Sequence, residues 1–450
     1  TTEIYTLSLH DALPISGGNV ARPLHGGNGR RALAVIPPRT PAETGLCGLS
    51  APAEEGNTEG MKPLPVSRRR FLLVSPLAAV AVRRAFADPA DAKEKMRPVR
   101  LAFPPTVDLS RDFARHVIIA RGTAEIYQGH PTTLLLPDGR TMYCVWTYNH
   151  GGACGPLKRS DDGGRTWSDL LPVPESWRTV KNCPTIWRLT DPAGTTRLVV
   201  YAGQGPDGKM HQSHSRDEGR TWTPMTSLGL ECVMPFCTIE PIEGGRRLLG
   251  LTNIRRPGET QEARSNVIAQ STSSDGGLTW TPWRVILDLP GLKPCEPWIV
   301  RSPDGRQLLA LLRENQKRAA LYITSDDEGR TWSVAKPLPP GLYGDRHVAR
   351  YAADGRLVVA MRDTGGNFGS PTSTHFIAWV GRYEDIVRSR DGQYRVKLLH
   401  SYKGGDNGYP GLELLPDGTF VATTYIKYRE GPEKHRSEER RVGKECRSRW

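Results

Sequence analysis

Several features are missing from this chain of 450 residues, and each absence closes a class of function. No two cysteines stand in a CxxC pair, and no Cys/His spacing suits zinc, so neither a thiol–disulfide motif nor a zinc module is encoded. No ligand cluster or glycine-rich dinucleotide fingerprint appears in the body of the chain, so no metal or organic cofactor is implied. The apolar piece Leu72–Val82 falls well short of the ~20 residues a membrane-spanning helix needs. Basic residues do not interleave with aromatics along any run, which argues against a nucleic-acid surface. The formal net charge is +13, and about half of it falls outside residues 88–436; the remainder fits an anionic substrate or an anionic surface.

Cysteine is sparse. Setting aside Cys47 and Cys446 near the ends leaves Cys144, Cys154, Cys183, Cys232, Cys237 and Cys295. Sequence does not fix their pairing, and several read as small buried hydrophobes.

What is present is a repeat. The phrase Ser-x-Asp-x-Gly-x-Thr-Trp occurs at Ser160–Trp167, Ser215–Trp222, Ser273–Trp280 and Ser325–Trp332. The Asp carboxylate can accept backbone N–H groups of its own turn, the Gly allows a positive φ, and the Trp packs beside it. A structural turn is favoured over a calcium loop, because the later ligands and flanking helices are missing. Each phrase follows an apolar strand–turn–strand hairpin. Such hairpins centre on Asp138, Asp191, Gly244, Asp304, Asp354 and Asp417, and a degenerate phrase without its Trp stands at Ser389–Tyr394. A period of about 55 residues, rich in turns, points to propeller blades. The fold expected is all-β: a six-bladed β-propeller in one domain.

The phrase closely resembles the Asp-box of the sialidase (neuraminidase) superfamily, a BNR repeat, whose members are six-bladed propellers. In that family the box is a structural turn on the face away from the active site. The resemblance covers residues 116 to about 430.

The ends do not share the pattern. The opening TEIYTLSLHDALPI and the closing segment 437–450 resemble translated sequencing-adapter read-through, and residues 1–60, rich in Gly, Pro and Ala, are set aside with 437–450 as spurious or non-native. Met61 is the expected true start, and residues 61–87 form a signal peptide. It runs through Ser67-Arg68-Arg69-Arg70-Phe71-Leu72-Leu73, resembling a twin-arginine signal, to a cleavage site at Ala85-Phe86-Ala87. This implies a periplasmic or secreted protein with no stable membrane span; separately, a monomer is expected. Residues 88–115 read as linker and 116–436 as propeller. The last blade is expected to be truncated by at least one strand, with His116–Arg121 supplying part of the closure.

The hairpins align through their turns. Eight residues before each turn stand His130, Cys183, Phe236, Glu296, Arg346 and Tyr409, with Phe236 uncertain by one position. A Tyr, a Glu, an Arg and a His converging on one axis make a pocket rather than a core. The segments around Tyr409 and Glu296 resemble those that carry the family's nucleophilic tyrosine and its glutamate partner. Arg313 and Arg362 resemble arginines of the family's carboxylate-binding triad. A phenol nucleophile suits sialic acids, whose anomeric carboxylate would repel a carboxylate nucleophile, and arginines grip that carboxylate bidentately.

Two departures stand out. The family's first-blade Arg-Ile-Pro is replaced by Gly129-His130-Pro131, and the loop Tyr148–Gly155 has no Asp for the acid/base. Arg346 is the candidate to replace the missing cation, and His130 or His150 the missing acid. The expected function is an exo-acting, retaining, sialidase-like hydrolase of sialic acid or a related acidic glycan. Two alternatives remain. One is a lyase on uronate glycans, recognised by an ultraviolet-absorbing product. The other is a non-catalytic glycan-binding propeller, whose binding survives Tyr409→Phe.

Overall fold

Strand–turn–strand patterning at each Asp-Gly or Gly-Gly turn produces an antiparallel hairpin, and each hairpin recruits further strands into a separate sheet. A computed structural model describes residues 3–8 and 100–430, apart from 124, 260–265 and 317. The leader at 61–87, the chain from 88 to 99, the tail at 437–450, Cys47 and Cys446 lie outside the described residues.

The described strands form six sheets. Sheet I holds Gln128–Leu135, Met142–Tyr148 and Cys154–Ser160. Sheet II runs outward from Thr185–Thr190, sheet III from Thr238–Ile242 and sheet IV from Pro294–Arg301. Sheet V starts at Gly344–Tyr351 and sheet VI at Gly408–Leu414. One small cavity of about 60 Å³ is lined by inner strands of five sheets, through Thr132, Thr185, Trp298, Val348 and Gly411 among others, and by Cys237, which immediately precedes the inner strand of sheet III and donates its N–H to Leu251 O of that sheet. The innermost strands therefore surround one axis, and the protein is an all-β propeller.

Apolar clusters fill the gap between each sheet and the next. Val145 and Leu157 of sheet I meet Ile186 and Leu198 of sheet II. Tyr201 meets Phe236 and Leu248 across II and III, and Leu249 meets Ile299 and Leu312 across III and IV. Leu309 packs with Trp379 across IV and V, and Phe376 with Leu412 across V and VI. Met142 and Leu415 close the ring between I and VI. Each fully buried side chain of this kind contributes roughly 1.5–3 kcal/mol of transfer free energy.

The boxes are structural turns. In the second, Ser215 Oγ accepts from Gly219 N (2.7 Å), Asp217 Oδ1 accepts from Thr221 N (2.9 Å), and Trp222 Nε1 donates to Gly219 O (3.1 Å). Bonds from the Thr221 hydroxyl and amide hold the Asp217 carboxyl at about 2. The first and third boxes repeat the pattern. In the fourth, Trp332 Nε1 turns to Gln270 Oε1 instead (2.8 Å). Where Ser389–Tyr394 lacks the Trp, Trp379 from within the sheet donates its Nε1 to Asp391 O (2.7 Å).

Two expectations change. Sheet VI is four-stranded rather than short of a strand. Glu3–Ser8, from the segment set aside as spurious, pairs with Val421–Ile426 on one side and His116–Arg121 on the other. Those two strands leave a slot between unpaired edges, and backbone groups there demand a partner whatever its sequence. Within the expected linker, Thr106–Asp108 adds to sheet V as a parallel edge strand on Arg395–Lys397. The described cysteines, whose pairing the sequence left open, are unbonded thiols. Five of the six are buried, because each sits as a small hydrophobe near the axis or between sheets.

Candidate active site

The innermost strands share a backbone irregularity that aims side chains at the axis. His130, Cys183, Glu296, Arg346 and Tyr409 all have φ between 48° and 54°, a left-handed conformation rarely tolerated by such residues. Pairing slips at four of these places: between Gly129 and Thr132, Cys295 and Trp298, Asp345 and Val348, and Gly408 and Gly411. These are β-bulges, which bend a strand and redirect the bulged residue. Five of the six residues aligned from the sequence thus share this left-handed backbone, four of them at bulges. Phe236 is the exception. It packs against Trp280 with ring centroids 4.1 Å apart, and it is Cys237 that lines the axial cavity.

At the centre, Tyr409 Oη donates to Glu296 Oε1 at 2.5 Å. Both residues are buried, at 8% and 4% exposure. Burial alone would push the Glu296 carboxyl up. The Arg313 and Arg346 guanidiniums and the Tyr409 hydroxyl outweigh it and hold the carboxyl at about 2. Burial, then the Glu296 charge, push the Tyr409 phenol well above its ordinary value. At rest the pair is therefore a neutral phenol donating to a carboxylate.

Three arginines flank the pair. Arg313 donates from Nη1 to Glu296 Oε2 (3.0 Å) and from Nη2 to Asn315 Oδ1 (2.7 Å), and its Nε lies 3.0 Å from Asp345 Oδ1. Arg362 donates from Nε and Nη2 to Asp345 Oδ2 and from Nη1 to the carbonyls of Gly405 and Asn407. Arg346, 3% exposed, lies with Cζ 5.3 Å from the Tyr409 ring centroid, and its Nη1 is buried with no hydrogen-bond partner. Arg346 thus stands beside the nucleophile candidate as a cation–π partner.

The histidines part company. His130 is 2% exposed, and its ring centroid is 4.3 Å from that of Tyr409. Its Nδ1 accepts from Gly151 N (3.3 Å), which assigns the ring proton to Nε2. His150 is exposed, 4.4 Å from the His130 ring, with Nδ1 3.9 Å from Asp406 Oδ1. Asp406 also accepts from Tyr127 Oη (2.8 Å). Sequence reasoning missed Asp345 and Asp406. Asp345 stands one residue before the bulged Arg346, and Asp406 lies in the loop that enters the strand of Tyr409. Proximity to two column residues was the only signal for either.

Residues 182–420 match the family model of the BNR repeat-like domain. The chain belongs to this family. Its matched region holds Glu296, Arg313, Asp345, Arg346, Arg362, Asp406 and Tyr409, whereas His130 and His150 precede it. Over 237 residues this BNR protein is 28% identical to the anhydrosialidase of Macrobdella decora, covering 50% of this chain and 30% of that protein. Over 196 residues it is 28% identical to the sialidase of Micromonospora viridifaciens, covering 36% and 28%. The chain therefore spans less than a third of the length of either relative. A protein of unknown function from Dyadobacter fermentans DSM 18053 superposes with a TM-score of 0.50 at 16% identity, covering 69% of this chain and 97% of its own. That likeness is one of fold.

Proposed function

We propose that this protein is an exo-acting, retaining glycoside hydrolase built on a six-bladed propeller, with Tyr409 as nucleophile and Glu296 as its base. The six sheets around one cavity support the blade count. The observation that carries the chemistry is the 2.5 Å bond from Tyr409 Oη to Glu296 Oε1 at the axis. As the phenol oxygen attacks the anomeric carbon, Glu296 takes its proton, and the glycosidic C–O bond breaks. With Glu296 a weak base and Tyr409 a weak acid, proton transfer and bond formation proceed together. Arg313 and Arg346 stabilise charge developing on the phenol oxygen. His150, with Nδ1 3.9 Å from Asp406 Oδ1, protonates the leaving oxygen. His130 positions the Tyr409 ring. Water then cleaves the glycosyl–tyrosine bond, restoring the phenol.

The acidic-glycan part of the sequence expectation rests on three arginines, of which Arg313 and Arg362 already hold protein carboxylates. Aryl glycosides, acidic and neutral, followed by NMR are the test. The expected product keeps its anomeric configuration, and Tyr409→Phe lowers turnover by about 10³-fold or more. An unsaturated product would replace this reading with the lyase alternative, and sugar binding without turnover would leave a binding module.

A further inference from the structure

A bidentate clamp on a substrate carboxylate needs two parallel N–H groups free on one guanidinium. Of the five N–H donors an arginine carries, Arg362 has committed four: two to Asp345 Oδ2 and one each to Gly405 O and Asn407 O. Arg313 hydrogen-bonds Glu296 and Asn315 through Nη1 and Nη2, and its Nε lies in ion-pair contact with Asp345. Asp345 lies between the two guanidiniums, one oxygen on each, and its side chain is only 8% exposed. It is a carboxylate already seated where the two arginines converge. His130 stands where the family resemblance leads one to expect a third cation, and Arg346 is turned onto the Tyr409 ring.

We infer that Asp345 is a specificity-determining residue that fills the arginine clamp from within the protein, so that the site takes a glycon with no carboxylate on its anomeric carbon. The inference rests on the glycosidase reading for the word glycon, though not for the binding claim. A substrate carboxylate would have to displace Asp345 and then lie beside a second buried anion. Two like charges sharing one such site repel strongly. A neutral sugar meets no such opposition.

The test is a matched pair of ligands, a 2,3-dehydrated sialic acid and its methyl ester, titrated calorimetrically into the full chain. The folded protein is expected to show no preference for the acid. Asp345→Asn, which keeps the shape and removes the charge, is expected to gain at least tenfold for the acid over the ester. Asp345→Ser serves as a second variant should the first not fold, with thermal melting as the control. A wild-type preference of tenfold or more for the acid overturns the inference, and so do folded variants that still fail to bind it. Turnover is measured separately. If no glycoside is hydrolysed, the glycosidase reading fails, while the acid-to-ester ratio still decides the role of Asp345.

Discussion

A single bulged residue does two things here: it bends a strand and presents a functional group. Five side chains as different as His, Cys, Glu, Arg and Tyr hold the same left-handed backbone angle, a conformation that costs of order 1–3 kcal/mol at each non-glycine residue. Ion pairs and hydrogen bonds at the axis offset part of that cost, and Glu296 carries much of it. Its folded-state pKa of about 2 lies below the ordinary carboxylate value of 4.5. By linkage, its contribution is fully present above about 4.5 and is lost as pH falls toward 2. Melting temperature should therefore drop steeply across that window in the wild type. Glu296→Gln, less stable at neutral pH, should show a flatter profile there; parallel profiles would mean the carboxylate contributes no acid sensitivity. The column was legible in sequence because each member stands at a fixed distance from a recognisable turn. Asp345 and Asp406 were not, since a carboxylate beside a bulge or in a loop reveals nothing of where it reaches.

Among the elements, the boxes show why their glycines matter beyond turn geometry. Gly277 has φ +88°, and a Cβ there would lie 2.4 Å from Tyr201 Oη and 2.6 Å from Leu189 Cδ1. Tyr201 Oη in turn donates to Gly277 O (2.7 Å). A Cβ on Gly219 would likewise meet Tyr143, whose Oη donates to Glu218 O (2.6 Å), and one on Gly329 would meet Leu249. Each of these boxes thus clasps the middle strand of the preceding sheet. Gly208 has a similar φ of +74° but nothing within 4 Å of its Cβ position. Gly208→Ala should cost only backbone strain, of order 1 kcal/mol, while Gly277→Ala should add about 1–3 kcal/mol of overpacking. Urea unfolding compares them, and equal losses would deny the clasp. The box phrase made the turn legible, but the clasp depends on a partner some 75 residues away, outside the reach of any local pattern. Edge strands fared worst. Thr106–Asp108 carries no hairpin signal of its own and becomes a strand because sheet V offers it an edge.

For the whole molecule, closure of the ring is the remaining structural question, and it turns on sheet VI. Its inner hairpin, Gly408–Leu414 with Phe420–Ile426, follows the sequence pattern, and His116–Arg121 was expected at the closure. Between them runs Glu3–Ser8, antiparallel to both, in register from Glu3 opposite Ile426 to Ser8 opposite Val421. Nothing in the blade pattern singled out these six residues. They fill the slot because two unpaired edges face it, and an extended segment satisfies both ladders at once. Deleting residues 1–60 should therefore bare two strand edges beside the packing of Met142 against Leu415 and Val421. The shortened chain is expected to melt several degrees lower and to self-associate in size-exclusion chromatography, as open edges template pairing between copies. A synthetic peptide of the sequence EIYTLS, added in trans, should restore part of the lost stability by β-strand addition. Unchanged melting and a monomeric profile after deletion would show that the ring closes without this strand. In that case sheet VI would hold together through its inner hairpin and the core shared with sheet V, where Leu412, Phe420, Ala422 and Ile426 pack with Phe376 and Val396.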